Sequence, residues 1–503
     1  MKASSSHANS RLEELCLSKL ADRRLILASN RGPVEYFLDE KGELRPRRGS
    51  GGVVTALEGI SQYVRLNWIA SAMREGDRKA VELAQGGSFS GPDNENLRLR
   101  FVVNPRSTYH KYYSVFSNPL LWFLQHYMWN LSRTPNIDRV IYDAWQEGYV
   151  PVNQAFAQAV IDEAAASELP PVVIINDYHL YLVSDYIKRQ LPQLPIQHFI
   201  HIPWPSPRYW QVLPRFMHQA IIGSLCSADI VGLQTLGDVH SFLFCCQELL
   251  EGATADYGQS TVTIKDHVTR VKAYPVSVDV AGLRETTATT RFKEYEEKLR
   301  PLCGQQTIVR VDRAEPSKNI IRGFRAFDML LERYPQFRGR LKFLAFLVPS
   351  RVHLKPYQRY NQDTFQLVEE INARHGTADW KPIEVFFENN YIQALAGMRL
   401  YDVLLVNAVI DGMNLIAKEG PTVNERDGVL VLSETVGAHE QLGEYALTVA
   451  PADLEGTVQS LYTALTMPAA EKKRRARALK SSIEKEDLSN WLYCLLDDAS
   501  RLT

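Results

Sequence analysis

Val172-Val173-Ile174-Ile175-Asn176-Asp177 is an unbroken β-branched run that stops on an amide and a carboxylate, and His198-Phe199-Ile200-His201-Ile202 is a second apolar run that carries an imidazole near its end. Apolar runs without alternation are expected of strands buried on both faces, as in parallel sheets. Tyr181 to Gln190, between them, has helical spacing, so the segment predicts strand, helix, strand.

The same alternation extends in both directions. Arg24 to Ser29, Asn67 to Ser71 and Asp229 to Leu233 are further strand candidates before residue 275. Thr307 to Val311, Leu341 to Val348, Ile383 to Phe387, Asp402 to Asn407 and Val429 to Leu432 follow it. Helical spacing recurs at Val239 to Leu250, Ile320 to Arg333 and Phe365 to Arg374. The fold class is therefore α/β, doubly wound, twice over. A chain of 503 residues exceeds one comfortable core, which also argues for two domains. Gly252 to Lys272 is polar and hairpin-like, and a charged stretch, Arg284 to Arg300, precedes the second strand series, so the boundary is placed after Pro275. The expected organisation is a helical extension over 1–21, one Rossmann-like domain over 22–278, a second over 279–475, and a closing helical segment over 476–503.

Composition narrows the partners. Lys and Arg number 57 against 58 Asp and Glu, so the overall field favours neither a nucleic acid nor an anionic membrane. The six cysteines are scattered without C-x-x-C or finger spacing, as expected of free thiols that fill cores in a reducing compartment. Residues 1–20 lack a signal-peptide core, and no segment reaches the ~20 apolar residues of a membrane span. A cytoplasmic protein is expected. The basic run Lys472, Lys473, Arg474 and Arg475 is best explained as a solvated helix face.

In open α/β sheets ligands bind beyond the carboxyl ends of strands, which directs attention to the turns there. Ser29-Asn30-Arg31 follows the first strand and leads to Gly49-Ser50-Gly51-Gly52; glycines let backbone N–H groups approach a phosphate, and Arg31 offers a bidentate fork. A glycine cluster alone is more often a tight turn. Asp177 and His201 stand at neighbouring strand ends, where each has equal claim to a structural polar role. Arg313 and Lys318 follow the strand at 307–311 and suit a diphosphate, although a surface ion-pair cluster with Asp312 and Glu315 is the simpler reading of that pair alone. Arg351 adds a cation after another strand. Asp411-Gly412-Met413-Asn414-Leu415 leads into a helix start that carries Lys418 and Glu419. Its N–H groups can hold an anion, and its carboxylates can accept from hydroxyls.

Taken in order, these stretches resemble the trehalose-6-phosphate synthases, from about Leu25 to about Pro468. The resemblance implies a GT-B fold, two Rossmann-like domains facing across a cleft, with the closing helix returning to the first domain. It implies retaining transfer of glucose from a UDP- or GDP-linked donor to glucose 6-phosphate, with no cofactor and no metal; with no carboxylate placed as an obvious nucleophile, the transfer is expected to be front-face. Acceptor-side positions would be Arg31, Tyr113, Trp122, Asp177 and Arg351. Donor-side positions would be Gly51, Gly52, His201, Arg313, Lys318, Asp411, Gly412, Met413, Asn414, Leu415 and Glu419. His201, Asp177, Arg313 and Lys318 would carry the chemistry.

The expected partners are thus a nucleotide-sugar donor and a sugar-phosphate acceptor, with no nucleic acid and no membrane; a homo-oligomer is compatible with the sequence. Two positions depart from the family pattern: Ile410 replaces an Arg, and Lys318-Asn319 replaces Lys-Gly. The Lys-Asn form also occurs in the family's pseudo-glycosyltransferases, which makes such an enzyme, or a synthase with another phosphorylated acceptor, the first alternative. A catalytically silent sugar-phosphate sensor is disfavoured by the intact motifs. A Rossmann dehydrogenase is disfavoured because no G-x-G-x-x-G follows the first strand.

Overall fold

The structure is a computed structural model that describes residues 11–49, 57, 59–92, 94–352 and 354–502. The chain forms two compact units, one of the residues up to Tyr274 together with Ser489 onward, the other of Pro275–Leu488.

In the first unit, strands Arg24–Ala28, Arg65–Ser71, Asn94–Val102, Pro171–Asn176, Ile196–Phe199, Ile230–Leu233 and His267–Ala273 are parallel. Numbered as they occur in the chain, they lie in the order 7-6-5-4-1-2-3. The order reverses between Arg24–Ala28 and Pro171–Asn176, which makes their carboxyl ends a topological switch point. Val172, Val173, Ile174 and Ile175 are all fully buried, as the run without alternation requires. The polar segment after Gly252 forms antiparallel strands Ala253–Asp256 and Thr261–Ile264, which extend the sheet from His267–Ala273.

The second unit repeats the plan with six parallel strands, Gln306–Arg313, Leu341–Val348, Ile383–Phe387, Val403–Val406, Val429–Ser433 and Leu447–Val449, in the order 3-2-1-4-5-6. Its core joins the sheet residues Ile308, Phe343 and Leu405 to Phe324 and Leu330 of helix Ile320–Arg333 and Leu461 of helix Leu454–Thr466.

The closing helical segment is two helices. Ala469–Lys485 belongs to the second unit and ends at Glu486, and Leu488–Ser500 follows it, with Ser489 onward grouped with the first unit. In that last helix Asp498 accepts from Lys272 Nζ at 2.6 Å and from Tyr274 Oη at 2.8 Å, and Trp491 meets Phe199 edge-on with ring centroids 5.5 Å apart. Cys494 on this helix is exposed, so it fills no core, unlike the buried Cys16, Cys226, Cys245 and Cys246. Among the described residues, no helix is long and apolar enough to cross a membrane.

Candidate active site

The second unit's switch point lies between Gln306–Arg313 and Val403–Val406. Arg313 ends the first of these strands, and its Nη1 lies 2.8 Å from Glu315 Oε1 with half the side chain exposed. A short turn, Pro316–Lys318, then brings Lys318 back beside the strand end. Asn319 closes the turn in the left-handed region at φ 58°, where glycine and asparagine are the residues that sit most easily. Its amide donates to Asn407 O at 2.8 Å and Pro451 O at 2.7 Å, so the side chain ties the turn to two other loops.

Lys318 Nζ donates to Asp411 Oδ2, which also accepts from Asn414 Nδ2 at 3.1 Å. Asn414 has φ 64° and precedes the helix Ile416–Val423, whose shortness matches the internal Pro421. Arg313, Lys318, Asn414, Leu415, Ile416 and Glu419 line one cavity of about 260 Å³. Its apolar wall includes Phe346, stacked on Phe386 with centroids 4.8 Å apart. Tyr391 Oη donates to Glu419 Oε1 at 3.2 Å, and burial raises that carboxyl to about 7 despite the tyrosine. Two cations at a strand end facing a helix N-terminus form a place for negative charge.

In the first unit, the buried Asn30 organises the end of Arg24–Ala28: its Oδ1 accepts from Ser71 Oγ at 3.0 Å and Tyr112 Oη at 3.2 Å. Burial weakens the hold of Arg31 on its proton, but the Tyr113 hydroxyl and Glu35 more than restore it, so Arg31 stays a cation. Tyr113 lies stacked between Tyr109 and His179, with centroids 5.6 and 5.8 Å away. Trp122 is 2% exposed and lies over His126 at 4.0 Å.

Asp177 ends the strand Pro171–Asn176 at φ 73°, ψ 172°, a conformation that costs an L-residue about 1–3 kcal/mol and must be held from outside. It is held: its N–H donates to Phe199 O at 2.7 Å, and its Oδ1 accepts the His201 N–H at 3.2 Å. His201 Nε2 lies 3.2 Å from Asn176 Oδ1, and burial lowers its imidazole to about 4. A neutral ring there suits hydrogen bonding to a hydroxyl better than carrying a proton.

Glycosyltransferase family 20 matches residues 23–501, nearly the whole chain. The chain belongs to glycosyltransferase family 20. It is 29% identical to the UDP-forming alpha,alpha-trehalose-phosphate synthase A of Dictyostelium discoideum over 93% of its length, and spans 61% of that longer protein. It is 31% identical to the Pichia angusta enzyme, over 93% of this chain and 97% of that one. It is also 28% identical to a validamine 7-phosphate valienyltransferase of Streptomyces hygroscopicus, over 94% of this chain and 93% of that one. Among solved structures, the E. coli protein bound with UDP-2-fluoro glucose superposes with a TM-score of 0.80 at 25% identity, covering 95% of this chain and 99% of that one. The Burkholderia xenovorans synthase in complex with glucose-6-phosphate gives 0.79 at 27%, with the same coverage. This family 20 chain is thus a glycosyltransferase of the trehalose-phosphate synthase type, built from the two Rossmann-like domains of the GT-B class.

Of the positions the family 20 resemblance points to, the structure brings Arg313, Lys318, Asp411, Asn414, Leu415 and Glu419 together in the second unit, with Gly412 and Met413 in the turn beneath. It pairs Arg31 with Tyr113 and Asp177 with His201 in the first. Arg351 belongs to the second unit, where Nη1 lies 3.2 Å from Glu315 Oε2 and 2.6 Å from Tyr357 Oη. Lys418 is fully buried and donates to Val276 O at 3.0 Å, so it does not line the cavity. Gly51 and Gly52 lie outside the described residues. Sequence reasoning missed Tyr391, which holds Glu419, and Asn30, which ties the strand end beside Arg31 to Ser71 and Tyr112. The ion pair read from the sequence between Arg313 and Glu315 is present, and Glu315 also holds Arg351.

Proposed function

We propose that the chain transfers glucose with retention from UDP-glucose to glucose 6-phosphate, giving trehalose 6-phosphate and UDP. The observation that carries this reading is the cavity at the second unit's switch point, where Arg313 and Lys318 face the start of helix Ile416–Val423 and Glu419. Relatives whose names specify UDP-forming synthases support the donor, and the Burkholderia xenovorans complex supports the acceptor.

In the reaction the bond from the anomeric carbon to the diphosphate oxygen breaks. The acceptor's C1 hydroxyl oxygen then bonds to the same face of that carbon, and its proton passes to the departing phosphate. Charge grows on the diphosphate as the bond breaks, so Arg313 and Lys318 act more in the transition state than in the ground state. Lys318 is held beside the cavity by Asp411, ready to share its remaining protons with a phosphate. Glu419 and Tyr391 would meet donor hydroxyls, and the Phe346 wall the apolar face of the base. His201 would bond the donor sugar, Gly51 and Gly52 its phosphates, and Asp177 would orient the acceptor. Arg31, Tyr113, Trp122 and Arg351 would complete the acceptor side. A cytoplasmic setting fits the unpaired cysteines.

The test is a panel of UDP-, GDP- and ADP-glucose against glucose 6-phosphate, with products identified by mass and anomeric configuration. Trehalose 6-phosphate formed with α,α configuration and release of UDP is the expected result. No transfer to glucose 6-phosphate, with transfer to an aminocyclitol phosphate instead, would place the chain beside its valienyltransferase relative.

A further inference from the structure

Arg310 is an arginine inside a buried strand, with no exposed surface at all. A guanidinium taken wholly out of water needs partners for its protons. Nε and Nη2 donate to one oxygen, Asp312 Oδ2, at 2.9 and 2.7 Å. Nη2 also donates to Lys318 O at 2.9 Å, and Nη1 to Ile320 O at 3.3 Å. These two carbonyls bracket Asn319, the left-handed residue that turns the chain from the Lys318 turn into helix Ile320–Arg333. Asp312 in turn lines the same cavity as Arg313 and Lys318.

The helix is shaped around this group. A Cβ on Gly323 would collide with Arg310 Nη1 and lie 3.3 Å from Leu405 Cδ2 and 3.4 Å from Asn407 Oδ1. Glycine at that position therefore keeps the space in which the guanidinium reaches the Ile320 carbonyl.

We propose that Arg310 is a positioning residue for the transfer reaction: by clamping the carbonyls of Lys318 and Ile320 while neutralising Asp312, it sets where the Lys318 ammonium stands against the leaving diphosphate. This rests on the reading of the cavity as the donor site. A merely structural role would require only that the buried charges cancel. The positioning role requires the clamp itself.

Three variants separate these cases: Arg310→Met, Arg310→Met with Asp312→Asn, and Gly323→Ala. Arg310→Met leaves Asp312 buried without its partner, so it is expected to melt well below the parent. The double variant removes both charges at similar volume and is expected to recover most of that loss. Its kcat should nonetheless stay at least tenfold below the parent with a smaller change in KM for UDP-glucose, because Lys318 lacks its clamp. Gly323→Ala keeps every charge and is expected to lower kcat at least fivefold by displacing the guanidinium. Recovery of parental kcat in the refolded double variant, or a parental kcat in Gly323→Ala, would overturn the proposal. UDP binding to the parent, measured by calorimetry, tests the donor-site reading separately: a parent that does not bind UDP refutes that reading, whereas a parent that binds UDP beside variants of unchanged kcat refutes only the role of Arg310.

Discussion

Arg313 and Arg351 share one buried carboxylate: Glu315 Oε1 lies 2.8 Å from Arg313 Nη1, and Oε2 lies 3.2 Å from Arg351 Nη1. Ser350 Oγ adds a bond to Oε1 at 3.1 Å. Glu315→Gln keeps the volume and removes the charge, leaving the mostly buried Arg351 without its counter-ion. A loss on the order of 3 kcal/mol of stability is expected, with kcat lowered because both guanidinium groups lose the carboxylate they share. Thermal melts beside steady-state rates check this, and an unchanged melt would show that the pair of arginines does not depend on Glu315.

Arg313→Ala and Lys318→Ala are each expected to slow turnover by about 10²–10³, the usual cost of losing one donor to developing charge. Lys318→Ala also takes the cation away from Asp411, so Lys318→Ala with Asp411→Asn should fold better yet remain slow. Single-turnover rates of the folded variants give the answer, and near-normal rates would remove both residues from the leaving-group site.

Arg31→Ala and Arg351→Ala are expected to raise KM for glucose 6-phosphate far more than KM for UDP-glucose, since charge-assisted bonds to a dianionic phosphate are about twice as strong as neutral ones. They should differ in stability. Arg351 is embedded against Glu315 and Tyr357, whereas Arg31, though partly desolvated beside Tyr113, keeps more of its surface open to solvent, so Arg351→Ala should lower the melting temperature more. Equal damage to both substrates' constants would leave a structural role alone.

Glu419 supplies a pH dependence with a definite sign. Burial raises it from 4.5 to about 7, above its unfolded value. The stability it contributes is therefore full below pH 4.5 and is lost as pH rises through about 7, as the unfolded chain gives up the proton before the folded one does. Its carboxylate form accepts from hydroxyls without donating, so KM for UDP-glucose should fall as pH rises across 7. Glu419→Gln should flatten both profiles, and a parental profile in that variant would assign the titration elsewhere.

Activity should persist in excess chelator, because Arg313 and Lys318 already provide cationic partners for a diphosphate. Among the described residues, the trio able to hold an ion is Asp328, Glu332 and His375, none of which lines the cavity. Arg374 Nη1 already faces its two carboxylates at 2.6 and 3.3 Å. Activity lost to EDTA and restored by magnesium or manganese would refute the metal-independent reading.

The strands were legible wherever burial on both faces demands an unbroken apolar run. Leu341–Val348 and Ile383–Phe387 end where the sequence predicts, as does the helix Ile320–Arg333. Asn94–Val102 escaped notice because it is an alternating strand: Leu97, Leu99 and Phe101 face inward while Arg98 and its polar neighbours do not, and no long apolar run results. The site divides in the same way. Arg313, Lys318 and Asp411 stand in recognisable motifs at strand ends, whereas Arg310 breaks a strand with a charge that makes sense only once Asp312 and two carbonyls surround it. Asn319 was visible as a departure from Lys-Gly, and its φ of 58° with two amide bonds gives the reason an asparagine serves there.

The return of helix Leu488–Ser500 to the first unit has a consequence for biogenesis. Trp491, Leu495 and Leu496 are buried there, yet the ribosome delivers them only after the entire second unit has been made. Domains tend to fold as they emerge. The unit that starts first must then wait, with the surface around Phe199, Lys272 and Tyr274 uncovered, while the one that starts later already has every segment it needs. The earlier-born half of this enzyme is the later to mature, and it is the half that a holdase would be expected to guard during synthesis.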